Sequence, residues 1–253
     1  MKNLVSYFAL LLVGIYGTKL ALTGDITLYI HQKYVIFFTA GTSVCIFVGL
    51  AGLILSLIKH KKHIDNHEPI SITPSVLLST FPLALFLITG LFLPPKTLSS
   101  ATASQKIENI KTVTSTTQQN IFISQQPEKK ILPSDTVDYS YQDWLYTLDS
   151  NPDIASQSGK TVRLTGFVFK HETFDPDVFV VARFMMWHCA LDAVPVGFPV
   201  KTDLISSYTG DEWVEVTGKL SVMKDHNNED ILFIIPDKIT KTEAPENPYL
   251  HPY

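Results

Sequence analysis

Arg183 to Val200, RFMMWHCALDAVPVGFPV, changes texture twice. It begins as an apolar, strand-like run, breaks at Ala190-Leu191-Asp192, and resumes as a second apolar run punctuated by Pro195 and Pro199. A run of this kind that stops at turn residues and starts again reads as strand, loop, strand. His188 and Cys189 stand at the break, with Asp192 just after them. These three side chains are therefore expected where a β-strand gives way to a loop.

Similar runs lie on both sides of it. TVRLTGFVFK at 161–170, DVFVVARFMMW at 177–187, VPVGFPVK at 194–201, DEWVEVTGKLSVM at 211–223 and DILFIIPDKIT at 230–240 are β-rich and separated by turn residues. In WVEVTGK, Val214 and Val216 alternate with Glu215, Thr217 and Lys219, the period of a half-buried strand. Gly166 and Gly218 fall inside strands, where glycine marks a bulge or a sharp bend. Five such runs predict a small, partly open five-stranded barrel of the OB kind, with a β-sandwich as the alternative. Before them, Tyr141, Trp144, Leu145 and Leu148 recur at helical spacing, with Ser134 or Asp135 as the expected cap and Asn151-Pro152 as the stop. The tail EAPENPYLHPY is too proline-rich for a strand and is expected to lie extended.

The N-terminal part is different. Leu4–Leu22, Tyr34–Ile58 and Val76–Leu93 are apolar runs, the last holding Pro82 and stopped by Pro94-Pro95. About 20 apolar residues at 1.5 Å each cross a bilayer core of roughly 30 Å. Three transmembrane helices are therefore expected; a cleaved signal peptide competes for the first, but no A-x-A-like site follows it. Gly41, Gly49 and Gly52, with Ala40 and Ala51, suit close helix packing. Lys59, Lys61 and Lys62 crowd the loop before the third segment and mark it cytoplasmic. That places the N-terminus in the cytoplasm and everything after Pro95 on the extracytoplasmic side of the cell membrane. His60, His63 and His67 in the same loop are spaced to share one helical face as a cytoplasmic metal-sensing or metal-delivery patch, but the favoured reading is a basic juxtamembrane run that fixes topology and meets anionic lipid. Residues 96–135, rich in Ser, Thr, Gln and Lys, read as a flexible tether. The expected division is 1–95 anchor, 96–135 tether and 136–253 β-rich domain.

The formal net charge is −4, from 20 Lys and Arg against 24 Asp and Glu, which disfavours nucleic acid as a partner. Two cysteines, one of them Cys45 inside an apolar run, supply no disulfide framework. Around Cys189 two readings stay open. Imidazole, thiolate and carboxylate are zinc ligands, so His188, Cys189 and Asp192 form a metal candidate, to which His171 and Glu172 of the preceding turn HETFDPD could be added. The plainer reading makes Cys189 a small buried hydrophobe, His188 a surface residue and Asp192 a turn-former. A thiol-nucleophile enzyme is a third, weaker reading, because a histidine adjacent in the chain is an awkward base for its own neighbour.

The order of N-terminal apolar segments, a D-I-T-L-Y-I-H connection at 25–31, a polar stretch and a terminal β-domain resembles the uncharacterised YcgQ-like permease subunits. The motifs that carry the resemblance are Gly166-Phe167-Val168, Arg183-Phe184, His188-Cys189-Ala190-Leu191-Asp192-Ala193, Pro195, Trp213-Val214 and Pro248-Tyr249. The family's Cys-Cys pair stands here as His188-Cys189, which keeps a metal-ligand type and removes a vicinal thiol pair. The resemblance implies a non-enzymatic accessory subunit in the bilayer, a larger multi-pass permease as partner, and a domain that binds or presents a solute, zinc among the candidates. A cell-envelope module binding a peptide, glycan or protein without metal is the alternative.

Overall fold

The computed structural model describes residues 2–61, 81, 85, 90, 95–106, 111–112, 131–225 and 228–251. It divides into two units, Met1–Lys96 and Thr97–Tyr253.

In the first unit, helices α1 (Lys2–Thr23) and α2 (Val35–Lys61) pair through short 3-10 turns, the second capped by His31, whose Nδ1 accepts the Lys33 N–H at 3.0 Å. Glycine sets their approach. A Cβ on Gly14 would meet the Ile46 nitrogen at 2.9 Å, and one on Gly49 the Leu11 nitrogen at 2.9 Å. Gly52 faces the Tyr7 ring, whereas Gly41 faces open space and takes no part in this contact. Both helices are long and apolar enough to cross a membrane. A third span is not seen among the described residues; of Val76–Leu93, only Phe81, Leu85 and Gly90 are described, all helical, and the Gly90 carbonyl accepts the Tyr16 hydroxyl at 2.8 Å. The lysine-rich loop after Lys61 lies outside the described residues.

The second unit opens with helix α3 (Ser100–Gln105) and strand β1 (Lys111–Thr112), and continues after the undescribed 113–130 with α4 (Tyr141–Ser150). The cap of α4 is Ser140, not Ser134 or Asp135: its hydroxyl accepts the Asp143 N–H while Asp143 Oδ2 accepts the Ser140 N–H, a reciprocal capping box. Asp135 instead caps the 3-10 turn Thr136–Asp138. Tyr141, Trp144 and Leu148 are buried, as their spacing predicts.

Five long strands follow: β2 (Thr161–Phe169), β3 (Val178–Met185), β4 (Val194–Lys201), β5 (Trp213–Lys224) and β6 (Asp230–Lys241). β2 pairs antiparallel with β3 (Phe167↔Ala182) and β5 (Leu164↔Val216), β3 with β4 (Val181↔Phe198), and β5 with β6 (Leu220↔Ile234). A parallel bridge, Val200↔Ile234, joins β4 to β6 and closes a small five-stranded barrel. Alternate residues fill it: Leu164, Val168, Phe179, Val181, Val196, Phe198, Val216 and Ile234 pack with Trp144 of α4. The two strand glycines serve different ends. At Gly218 the register slips, Thr217 pairing with Lys238 and Gly218 with Pro236, a bulge that bends β5 and β6. At Gly166 there is no slip; a Cβ would sit 2.5 Å from the Ala182 carbonyl and 2.7 Å from the Tyr141 hydroxyl.

The barrel splits at two seams, and short strands fill both. Past Ala182, β3 leaves β2 and pairs with β7 (Tyr249–Leu250), Phe184↔Tyr249. Near its start β4 pairs with β1, Val196↔Lys111, and reaches β6 only at Val200. The proline-rich tail thus contributes a strand after all, because a two-residue ladder needs little regular backbone between Pro248 and Pro252. Likewise, within the stretch read as a tether, residues 97–106 and 111–112 pack on this unit. α3 packs against β2, with Ala103 fully buried; Phe167 of β2 and Phe184 of β3 stack at 5.5 Å.

Candidate functional site

The loop between β3 and β4 is organised by one carboxylate. Asp192 Oδ1 accepts the Trp187 N–H at 3.1 Å; Oδ2 accepts the His188 N–H at 2.9 Å and the Cys189 N–H at 3.3 Å. His188 Nδ1 lies 2.9 Å from the same Oδ2. The Asp192 N–H closes the turn on the Cys189 carbonyl at 3.0 Å. Short polar residues favour this local bonding over continued strand, which is why β3 stops at Met185 and β4 starts only at Val194.

The loop is gripped from outside as well. Lys106, just past α3, donates its ammonium to the Leu191 carbonyl at 3.1 Å and to that of Ala193. At the other end the Met186 N–H donates to the Leu250 carbonyl at 2.9 Å, and His251 Nδ1 approaches the Met186 carbonyl at 3.3 Å. Held this way, the loop presents Leu191 89% exposed, with His188 beside it largely exposed and Cys189 half-buried.

His171 and Glu172 are elsewhere. They lie in the β2–β3 turn, where His171 Nδ1 meets the Thr173 hydroxyl at 2.9 Å and the ring packs on Phe169 and Phe174. Successive turns of an antiparallel meander sit at opposite ends of the shared strand. The eight residues of β3 separate them from His188 by about 25 Å at roughly 3.3 Å per residue. The five candidate ligands therefore do not converge, and among the described residues no three His, Cys, Asp or Glu side chains form a metal-sized group. Within the loop, Asp192 is already occupied by N–H donors, as expected of a turn-organising carboxylate rather than an open ligand.

Two family models cover the chain end to end: the DUF1980 N-terminal domain over residues 5–109 and the DUF1980 C-terminal domain over residues 108–252. The chain belongs to the DUF1980 family. A comparison with curated proteins finds no match. In this DUF1980 protein the boundary between the two family regions, near residue 108, falls after α3, yet α3 packs within the unit that begins at Thr97. The N-terminal region thus supplies part of the loop's support.

Three site-bearing residues of the DUF1980 chain escape a reading of composition. Lys106 lies in the polar stretch, where nothing local marks it. Tyr249, 3% exposed, accepts the Leu98 N–H at 3.0 Å through its hydroxyl. Arg183 shares the inward face with Val181 and Met185, and its guanidinium donates to the carbonyls of Pro248 (3.1 Å) and Asn247. Burial lowers the Arg183 pKa from its ordinary range, an effect the neighbouring Tyr141 opposes. The Pro248-Tyr249 dipeptide was the available signal, since a buried aromatic in a proline-rich tail has to pack on something.

Proposed function

We propose that this DUF1980 protein is a membrane-anchored, non-enzymatic accessory subunit whose barrel recognises a protein partner through the β3–β4 loop. The observation that carries the reading is the combination of a carboxylate-braced loop with an apolar side chain, Leu191, held 89% exposed at it. An apolar residue on a pre-ordered loop loses little entropy on binding and gains burial, the energetics of an interface anchor. The strand order supports the same class of function: a five-stranded Greek-key barrel of the OB kind uses its face and loops for binding.

The outward faces of α1 and α2 support a bilayer setting. Phe37 and Phe47 are 73% and 74% exposed, surfaces suited to hydrocarbon rather than water. In that setting the barrel lies on the extracytoplasmic side, as the lysine pattern implies. The resemblance to YcgQ-like permease subunits supplies the class of partner, a multi-pass membrane protein. A photo-crosslinking residue at position 191 tests this reading in intact membranes: one discrete adduct with an integral membrane protein, lost on Asp192→Ala, is expected. No adduct at position 191 would contradict it.

A further inference from the structure

Residues 97–106 are the first of the β-rich unit and join it to the preceding helices. Their anchoring is distributed along the barrel. The Leu98 N–H donates to the Tyr249 hydroxyl, and the Ser100 N–H donates to Asp211 Oδ1. Ala103 is fully buried, and Lys106 holds the carbonyls of Leu191 and Ala193. Asp211 is itself tied at 3.0 Å through its N–H to Val168, which pairs with Val181. The loop begins six residues beyond Val181, so about 20 Å of strand at roughly 3.3 Å per residue separates the two ends of this contact. α3, about 9 Å long at 1.5 Å per residue, covers part of that distance, and the extended Lys106 side chain beyond its last turn reaches the loop. The other grip on the loop, from Leu250 and His251 on Met186, belongs to the tail, and Tyr249 links that tail to Leu98.

We infer that α3 with Lys106 is a transmission element: the position of the segment joining the two units sets the order of the β3–β4 loop. The inference rests on the loop being the recognition site proposed above and adds its regulation. Docked, α3 keeps Lys106 on Leu191 and Ala193 and the loop ordered for binding. Pulled away from Asp211, α3 carries Lys106 with it, the two carbonyls lose their donor, and the loop loosens although nothing has touched its internal bonds to Asp192. Movement of the preceding helices thereby becomes readable at Leu191.

The test is amide hydrogen exchange on the full chain in lipid nanodiscs. The reporters are the amides of Trp187, His188 and Cys189, all bonded to Asp192. Lys106→Met removes the grip directly. Asp211→Gly releases the far end of α3 while accommodating the positive φ of 67° at that position. Both variants are expected to speed exchange at the three reporters by about tenfold, a local opening rather than global unfolding. No acceleration in Asp211→Gly, whatever happens to the amides of α3, would overturn the inference, as would none in Lys106→Met. The partner crosslink at position 191 is a separate readout. Coupling without a captured partner sinks only the proposed function, and a captured partner without coupling sinks only this inference.

Discussion

Asp192 Oδ2 lies 2.9 Å from His188 Nδ1 and also accepts the backbone N–H groups of His188 and Cys189, so one carboxylate oxygen serves three donors in a single loop. Removing it leaves those donors to compete for water. Asp192→Ala is expected to cost roughly 1–2 kcal/mol, in line with charge-assisted bonds at a partly exposed site. Chemical denaturation measures this loss, and the same variant should speed exchange at the amides of residues 187–189.

Gly166 has Ala182 and Tyr141 where a side chain would go. Gly166→Ala should destabilise the barrel by roughly 1–3 kcal/mol through overpacking, by displacing the Tyr141 hydroxyl from the Val181 carbonyl it meets at 3.0 Å. Tyr141→Phe should cost less, about 1 kcal/mol for one lost hydrogen bond. The double variant should cost less than the sum, because the alanine methyl and the hydroxyl compete for one space.

Glu212 is held below the usual carboxylate range, first by its side-chain hydrogen bond with Lys241 (2.6 Å) and next by the Thr209 N–H. A carboxylate whose folded pKa is depressed binds fewer protons in the folded state than in the unfolded state. Its contribution is present above the unfolded value of about 4.3 and fades as pH falls through the lower folded value. The midpoint of urea unfolding should therefore drop more steeply between pH 5 and 3 in the wild type than in Glu212→Gln.

With His171 and Glu172 about 25 Å of strand from His188 by the roughly 3.3 Å rise per residue, zinc has no assembled centre of the five. One equivalent of zinc should leave the melting temperature unchanged, and His171→Ala should not alter any weak binding at His188. A stoichiometric zinc complex sensitive to both substitutions would refute this separation.

Much of the barrel is legible in the chain. VPVGFPVK matches β4 residue for residue, and the alternation in WVEVTGK gives the buried face of β5, because a half-buried strand writes its period into its own residues. Gly218 announced its bulge for the same local reason. β1 and β7 could not be read that way. Each has two residues, and each exists because a seam elsewhere in the barrel offers unpaired backbone. Lys106 is equally silent, its partners lying 85 and 87 residues away. The grouping of His171 with His188 is instructive, since the strand pattern alone contained the correction: turns on either side of one strand cannot share a site. His188, Cys189 and Asp192, read as a strand-to-loop break, are where expected, and the turn-forming role of Asp192 is the one the bonds describe.

The recognition loop is the central claim, and a crosslinker at position 191 in native membranes examines it most directly. A single adduct with an integral membrane protein, abolished by Asp192→Ala and unaffected by chelator, is the expected result. A residue at 191 that captures nothing, in a chain shown to be folded and membrane-inserted, would contradict it.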